Sequence, residues 1–427
     1  MQLVPPTRFL PTLASLLLAA SAEAAQLRVP QDYLRIGEAL AAAVSGDEVV
    51  VAAGIYAPST NGEVYPLQMT TAGVALRGAG VEQSILDAEA SGTVVELSAA
   101  GTRLRNFTIT GGDANWGGGV HVLSADAEID HNLIRDNVAL NRGSGINVQA
   151  AAAPWIHHNV CWENLDKDLV HGGDPHGIQI GGSSTALVEH NLVGRGDSNG
   201  LFAGESSAPT VRNNIFFENG TPAVRGRGIC ALSDPATVIA YNLFSGNAIS
   251  AIVINDGGIV NLNAMDANDY NLADNIYGNL DGDPLLLDAA NLDFHLTPTS
   301  PAIDAGDPTS PLDTDGTRAD IGPYVYSANT ATPAGSSRFE LIAAAPNPFT
   351  TEFSLRIRLR RPGAVTIELH DLRGRRLQSE QLLASGLEQQ LILAGRDRRG
   401  HSLAAGVYIV SLESGGERVT LPVVKVR

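Results

Sequence analysis

The sequence predicts an all-β chain, with a long parallel β-helix first and a small β-sandwich after it. Three observations predict the β-helix. One block recurs between Gly117 and Asn275: Ile129-Asp-His-Asn132-Leu-Ile134, Ile156-His-His-Asn159-Val-Cys161, Val188-Glu-His-Asn191-Leu-Val193, Val211-Arg-Asn-Asn214-Ile-Phe216 and Ile239-Ala-Tyr-Asn242-Leu-Phe244. A second block alternates with it, led by glycine: Gly119-Val-His-Val122, Gly145-Ile-Asn-Val148, Gly177-Ile-Gln-Ile180, Gly200-Leu-Phe-Ala203 and Gly228-Ile-Cys-Ala231. Both blocks are short, alternate with period two and are bounded by Gly, Asn and Asp, so they read as strands. Nowhere in this stretch does helical spacing run for the ten or more residues a helical repeat needs. Stacked units of short strands joined by tight corners bury a core that no single unit has.

The asparagines set the repeat. They stand 27, 32, 23 and 28 residues apart, and four copies add another five places on, at Asn137, Asn164, Asn219 and Asn247. Asparagine suits corners because it tolerates the left-handed conformation and bonds its own backbone. In register, each amide reaches the next coil about 4.8 Å away, forming an internal ladder. These residues hold the fold and are not a site.

Residues 1–24 read as a secretory signal peptide: Arg8, an apolar run from Phe9 to Ala20, and the small-residue site Ala22-Glu-Ala24. The run is shorter than the roughly 20 apolar residues of a spanning helix, so a mature protein without a transmembrane segment is expected outside the cell or on its surface. Residues 25–326 are read as the β-helix domain. Leu34, Ile36, Leu40 and Val44 mark a short amphipathic helix that caps the open end of the solenoid. Ala53 to Tyr56, Val74 to Arg77 and Val94 to Leu97 are the first coils. Leu104 to Ile109 is the first full repeat, with Phe107 in the ladder position. Cys161 falls on an inward position and Cys230 on an outward one of a different strand type, so no disulfide is expected. After Asn271 the repeat fades. The Asp-rich turns at 304–320, with Asp313, Asp315 and Asp320, offer oxygen ligands for calcium, but lack the spacing of an EF-hand loop and read as acidic turns.

The opening pattern, Ala39-Leu-Ala-Ala-Ala with Gly46-Asp-Glu-Val-Val-Val and Gly54-Ile-Tyr56, resembles that of right-handed parallel β-helix proteins of the pectate-lyase superfamily. The resemblance runs from about Gln26 to Tyr326 and implies a right-handed coil. That superfamily contains lyases, hydrolases, epimerases and non-enzymatic surface proteins.

Residues 327–337 read as a linker. In residues 338–427, Phe353 to Leu359 and Val365 to Leu369 alternate as strands with one wet face do, which suggests a β-sandwich. The charge also switches. This segment holds 14 Lys+Arg against 9 Asp+Glu, net +5, and leaves 14 against 37, net −23, for the rest of a chain with formal charge −18. Ala345-Pro-Asn-Pro-Phe349, His370-Asp-Leu-Arg-Gly-Arg375, Ala404 to Leu412 and Val423-Val-Lys-Val426 resemble the C-terminal sorting domain of type IX secretion cargo and the Ig-like module of flagellar hook-capping proteins. The resemblance implies an Ig-like address read by the secretion machinery.

A β-helix makes its site on the outside of a wall, where residues of successive coils form columns. Two places after each glycine stand His121, Asn147, Gln179, Phe202 and Cys230. One place before it stand Ser144, His176, Asn199 and Arg227, and three before it Trp116, Arg142, Asp174, Asp197 and Arg225. Asp174 and Asp197 fall one coil apart between Arg142 and Arg225, with His176 beside them. The longest spacing carries the extra segment from Asp166 to His176, including Lys167, and insertions in solenoids fall on loops of the binding face. The resemblance implies uronate chemistry: calcium on Asp174 and Asp197 to mask the sugar acid, and Arg142, Arg225, Lys167 or His176 to move the C5 proton. Trp116, His121, Asn147, Gln179, Asn199, Phe202 and Arg227 would bind the sugar.

Two readings therefore stand. One is a secreted or cell-surface β-helix that binds acidic polysaccharide and, as an enzyme, either cleaves it as a lyase does or inverts C5 as an epimerase does. The other is a structural or adhesive surface protein without chemistry, whose mixed columns are plain surface. Nucleic acid is excluded as a partner by the acidic charge, and no phosphate-cradling loop or zinc spacing is present.

Overall fold

The computed structural model describes residues 24–427, except 124–125, 168–175, 222–225, 232–236, 256–258, 271–274, 328–338, 360–362, 372–374, 385–388, 397–399, 415–416 and 427. The signal segment before Ala24 and nearly all of the linker lie outside the described residues. The chain divides into two compact units, residues 1–285 with 299–325, and residues 286–298 with 326–427.

In the first unit, three parallel walls wind around one core. The first wall has ten strands, among them Arg103–Arg105, Glu128–Asp130, Trp155–His157, Leu187–Glu189, Thr210–Arg212 and Val238–Ala240. The second wall has nine, including Leu133–Arg135, Val160–Trp162, Leu192–Gly194, Ile215–Phe217 and Leu243–Ser245. The third wall also has nine, including Val120–Leu123, Ile146–Gln149, Ile178–Ile180, Leu201–Ala203 and Arg227–Ala231. Its last pair is antiparallel, Ser250–Asn255 with Ile259–Leu262. This is the all-β parallel solenoid the repeats predict.

The period-two pattern decides what enters the core. Ile129, Ile156, Val188, Val211 and Ile239 point inward from the first wall, and Ile134, Cys161, Val193, Phe216 and Phe244 from the second. Cys161 and Cys230 are both buried and no disulfide joins them.

The asparagine ladder forms as a chain of side-chain amides. Each Nδ2 donates to the next Oδ1 at 3.0–3.1 Å, from Asn132 through Asn159, Asn191, Asn214 and Asn242 to Asn279. Phe107 occupies the rung before it, and its N–H donates to Asn132 Oδ1 at 3.1 Å. The left-handed residue of each corner is not the ladder asparagine, however. It is the residue before it: His131, His158, His190, Asn213 and Tyr241 all have φ between 51° and 56°. That conformation costs a non-glycine residue about 1–2 kcal/mol, which the amide bonds of the following asparagine offset. A second ladder joins Asn137 to Asn164 and Asn219 to Asn247, each at 3.0 Å, and is interrupted where the third repeat has Gly196.

Two expectations are corrected. The repeat does not fade at Asn271: Ile276–Tyr277 and Leu280–Asp281 pair with the first and second walls, and Asn279 carries the ladder on to Asn268. The N-terminal helix covers only Ile36–Ala42. Ile36, Ala39 and Leu40 enter the core, whereas Leu34 and Val44 are exposed, because two turns present one narrow apolar stripe.

Besides the short antiparallel pair Leu286–Asp288 and Asp293–Leu296, the described residues of the second unit form two larger antiparallel sheets. One joins Phe339–Ala345, Glu352–Leu359 and Gln389–Ala394. The other joins Arg376–Ala384, Gly363–Asp371, Gly406–Ser414 and Glu417–Lys425. Phe353, Leu355 and Ile357 of the first sheet share one core with Val365, Ile367, Leu369, Val410 and Leu412 of the second, so alternation along each strand builds the inside of a sandwich.

Candidate functional site

The third wall places the expected column in register. His121 pairs with Asn147, Asn147 with Gln179, Gln179 with Phe202 and Phe202 with Cys230. Glycine leads each strand because the coils approach closely there. A Cβ on Gly145 would lie 2.5 Å from the Gly177 carbonyl oxygen, and one on Gly119 2.6 Å from that of Gly145.

The column faces away from the core, yet it is not open surface. Asn147 is 0% exposed, Gln179 3% and Cys230 3%, while His121 and Phe202 are half-buried. The cause is the preceding turn. Gly143 has φ +55°, and its α-carbon comes so close that a Cβ would lie 2.6 Å from Asn147 Cβ. A short outer sheet of Asp113–Trp116, Val138–Arg142 and Leu165–Asp166 carries these turns.

Burial leaves polar atoms without partners. Among the described residues, neither Asn147 Oδ1 nor Nδ2 has a hydrogen-bond partner, nor do Gln179 Oε1, His121 Nε2 or His176 Nε2. A buried polar group left unpaired costs about 1–3 kcal/mol, so these four side chains on neighbouring coils are ones that an ordered water or a polar ligand would satisfy. His176 is 1% exposed, and its ring stacks on Phe202 at 4.8 Å. Its Nδ1 lies 3.2 Å from Ser198 Oγ and 3.4 Å from Asn199 Nδ2. Burial, with the charges of Arg142 and Arg227 behind it, pushes His176 down to about 3, so the ring is neutral at physiological pH.

The cations around the column differ in their engagement. Arg142 forms an ion pair with Glu205 and lies over the Trp116 ring, 5.1 Å from its centroid. Lys167 Nζ bonds both oxygens of Asp113 at 2.6 and 2.8 Å. Arg227 Nε donates to the neutral Asn261 Oδ1 at 2.9 Å, and among the described residues no carboxylate opposes its charge. Both Asp197 oxygens accept the Asp166 N–H, at 2.9 and 3.1 Å. Burial raises Asp197 to about 6. Asp174 and Arg225 lie outside the described residues.

The first wall carries a cluster that the sequence reading passed over. Glu128, Asp130 and His157 bring one ligand atom each within 4.8 Å of one another, a set with the chemistry to hold a metal ion. Arg103 already supplies positive charge there, with Nε 2.7 Å from Asp130 Oδ1 and Nη2 3.1 Å from Glu128 Oε1. His131 Nδ1 is 2.7 Å from Asp130 Oδ2. Although burial alone pushes Asp130 up, these bonds hold its carboxyl well below the usual carboxylate range. His157 bridges Glu128 Oε1 at 3.1 Å and His158 Nδ1 at 2.8 Å, beneath the Trp155 ring at 3.9 Å. His131, His158 and His190 stack at 5.1 Å intervals. The signal was in the repeat itself, as the polar pair before three successive ladder asparagines: Asp130-His131, His157-His158 and Glu189-His190.

In the Asp-rich turns, the carboxylates serve the backbone. Asp304 N–H donates to Asp320 Oδ1 at 2.7 Å, and Asp320 N–H to Asp313 Oδ2 at 2.9 Å.

Comparisons with known proteins bear on the fold. The family model described as the right handed beta helix region matches residues 91–268. No curated protein sequence shows significant similarity to the chain. Among solved structures it is similar to pectate lyase Pel9A, with 13% identity, a TM-score of 0.43, and coverage of 68% of this chain and 91% of that one. It is also similar to the PL6 family alginate lyase AlyGC (17% identity, TM-score 0.32, 54% of this chain and 40% of that one). Latent PorU from Porphyromonas gingivalis is matched over 20% of this chain and 9% of its own, at 22% identity and a TM-score of 0.18. The chain thus spans less than two thirds of the alginate lyase and of PorU.

Proposed function

We propose that the protein binds acidic polysaccharide on the outer face of its third wall. The observation that carries this reading is the set of buried polar atoms on Asn147, Gln179, His121 and His176 without a partner among the described residues, on the same wall as Arg227, two coils beyond His176, whose guanidinium has no carboxylate against it among those residues. A sugar chain offers donors and acceptors at the spacing of successive coils, and its acid groups offer the missing negative charge. Trp116, 40% exposed beneath Arg142, gives a sugar ring an apolar surface at the rim. The strongly acidic first domain repels polyanions at long range, so attraction depends on this local charge.

The ion pairs Arg142–Glu205 and Lys167–Asp113 support binding without chemistry over lyase-type cleavage, since each commits a residue that would act as base to a carboxylate of the chain itself. Export and surface attachment complete the reading. The C-terminal sandwich serves as the address, and no helix among the described residues is long and apolar enough to cross a membrane.

Incubation of the full chain with polygalacturonate, alginate and related uronans, with and without calcium, tests both parts. Retardation in affinity electrophoresis without new absorbance from unsaturated sugars is the expected result. Absence of retardation by every uronan removes the proposal, and rising absorbance replaces binding with cleavage.

A further inference from the structure

We infer that removal of the export leader fastens the start of the solenoid: hydrolysis of the Ala24–Ala25 bond creates an α-ammonium on Ala25, and the buried Asp47 carboxylate receives it as an ion pair. The inference rests on the export reading above and is independent of any sugar.

The small-residue pattern alone leaves the cut open. Two triplets precede the β-helix, Ala20-Ser-Ala22 and Ala22-Glu-Ala24, and each has the form of a leader cleavage site. The fold separates them. Gln26–Val29 opens the first wall and pairs on one side only, with Glu48–Val51, while Leu27 and Val29 enter the core. Just ahead of this strand, the backbone of Ala25 is already held. Its N–H donates to Asp47 Oδ1 at 2.8 Å, and its carbonyl accepts the Glu48 N–H at 2.9 Å. A cut after Ala24 puts the new terminus on the nitrogen that Asp47 bonds. A cut after Ala22 leaves that nitrogen an amide.

Asp47 is short of positive charge. It is 5% exposed, and its other oxygen accepts the Val44 N–H at 2.9 Å. These bonds from Val44 and Ala25 hold its carboxyl below the usual carboxylate range although burial opposes them, so it is ionised at neutral pH. Among the described residues no lysine, arginine or histidine bonds its oxygens. Hydrolysis supplies the missing cation. Water adds across the C–N bond, Ala24 leaves with the carboxylate, and the amine of Ala25 takes up a proton. Ala25 is exposed, so the remaining N–H groups of the ammonium stay in water and only the Asp47 bond gains charge. Val44 follows the helix Ile36–Ala42 by two residues, so Asp47 ties that helix to the first strand at a chain end that would otherwise fray.

The full chain, expressed with its leader in a bacterium that exports it, tests this through the intact mass of the exported protein. The mature chain from Ala25 is then compared with one that starts at a Met placed before Glu23, each with and without Asp47→Asn. Acylation of the α-amine at pH 7, followed in the mass of the N-terminal peptide, reads the pairing. Ala25 is the expected first residue, and its amine should react about tenfold more slowly than the terminus of the extended chain, the ratio that one pKa unit gives. Asp47→Asn should abolish the difference. Thermal midpoints give a second readout. A partnered ammonium has a raised folded pKa, so its stabilisation is full below the unfolded value near 8 and is lost as pH rises through the folded one. The mature chain should therefore exceed the extended chain in thermal midpoint at pH 7 and converge with it by pH 10.5. If Asp47→Asn does not fold, the two lengths with Asp47 intact still carry the test. An exported chain that begins anywhere but Ala25, or equal acylation of the two lengths, overturns the inference and leaves export in place. A chain retained in the cell with its leader intact overturns both.

Discussion

Arg103 closes on Asp130 with two parallel hydrogen bonds, Nε to Oδ1 at 2.7 Å and Nη2 to Oδ2 at 3.0 Å. The Asp130 side chain is fully buried, whereas Arg103 and Arg105 remain about a third exposed. Asp130→Asn therefore strands three cationic or donating neighbours, and a loss of about 2 kcal/mol is expected, below the ~3–5 of a fully buried pair. The folded-state acidity of Asp130 lies below that of the unfolded chain. Its contribution is present above the unfolded value near pH 4 and fades as pH falls further. Urea unfolding at pH 7 and pH 3 measures both, and a difference under 0.5 kcal/mol at pH 7 contradicts the assignment.

The ladder predicts a gradient along the solenoid. Asn191 donates to Ile156 O, Glu189 O and Asn214 Oδ1, and accepts from Asn159. Asn268 ends the chain of amides, with bonds to Asn279 alone among the ladder residues. Asn191→Ala is expected to cost about 3 kcal/mol and Asn268→Ala about 1. Equal losses in chemical denaturation would show that the rungs do not act as internal bonds.

The histidine stack makes the first wall sensitive to acid. Burial, helped by the charges of His190 and His131, pushes His158 down to about 3, and burial lowers His190. A histidine held neutral in this way stabilises fully above its unfolded value near 6.5. For His158 that stability drains between pH 6.5 and about 3, by up to about 1.4 kcal/mol per pH unit, and His190 adds to the loss below 6.5 in the same direction. His158→Asn, which tolerates the same left-handed backbone, should flatten the fall in thermal midpoint between pH 7 and 4.5. An unchanged slope assigns the acid sensitivity elsewhere.

Close approach of coils predicts a steric test. Gly145→Ala drives a Cβ to 2.5 Å from the Gly177 carbonyl oxygen, whereas Gly62, also a glycine but with φ +72°, has nothing within 4 Å of its added Cβ. About 3 kcal/mol is expected for the first change, from displaced backbone, and about 1 for the second, from the left-handed conformation alone. Thermal unfolding separates them.

Much of this architecture was legible because β-helix coils translate sequence spacing into vertical stacking. The positions of Asn132, Asn159 and Asn191 gave the ladder, and the glycine blocks gave the register from His121 to Cys230. Burial of Asn147 was not legible, since it depends on the left-handed turn at Gly143 lying across it. Nor was the partner of Arg142: Glu205 comes from a loop, where spacing carries no register. The Glu128, Asp130 and His157 cluster was hidden differently. Asp130 and His157 stood inside the quoted repeat and Glu128 just before it, but alternation says only that they face outward. It does not say that an arginine one coil earlier, Arg103, draws them together.

The amide rungs keep nearly constant length although the chain between them varies from 23 to 37 residues. Alignment of neighbouring coils is thus independent of contour length. Any excursion between two rungs is free to lengthen, shorten or be exchanged while the coils above and below stay where they are. The solenoid works as a rack on which a binding surface is revised one shelf at a time.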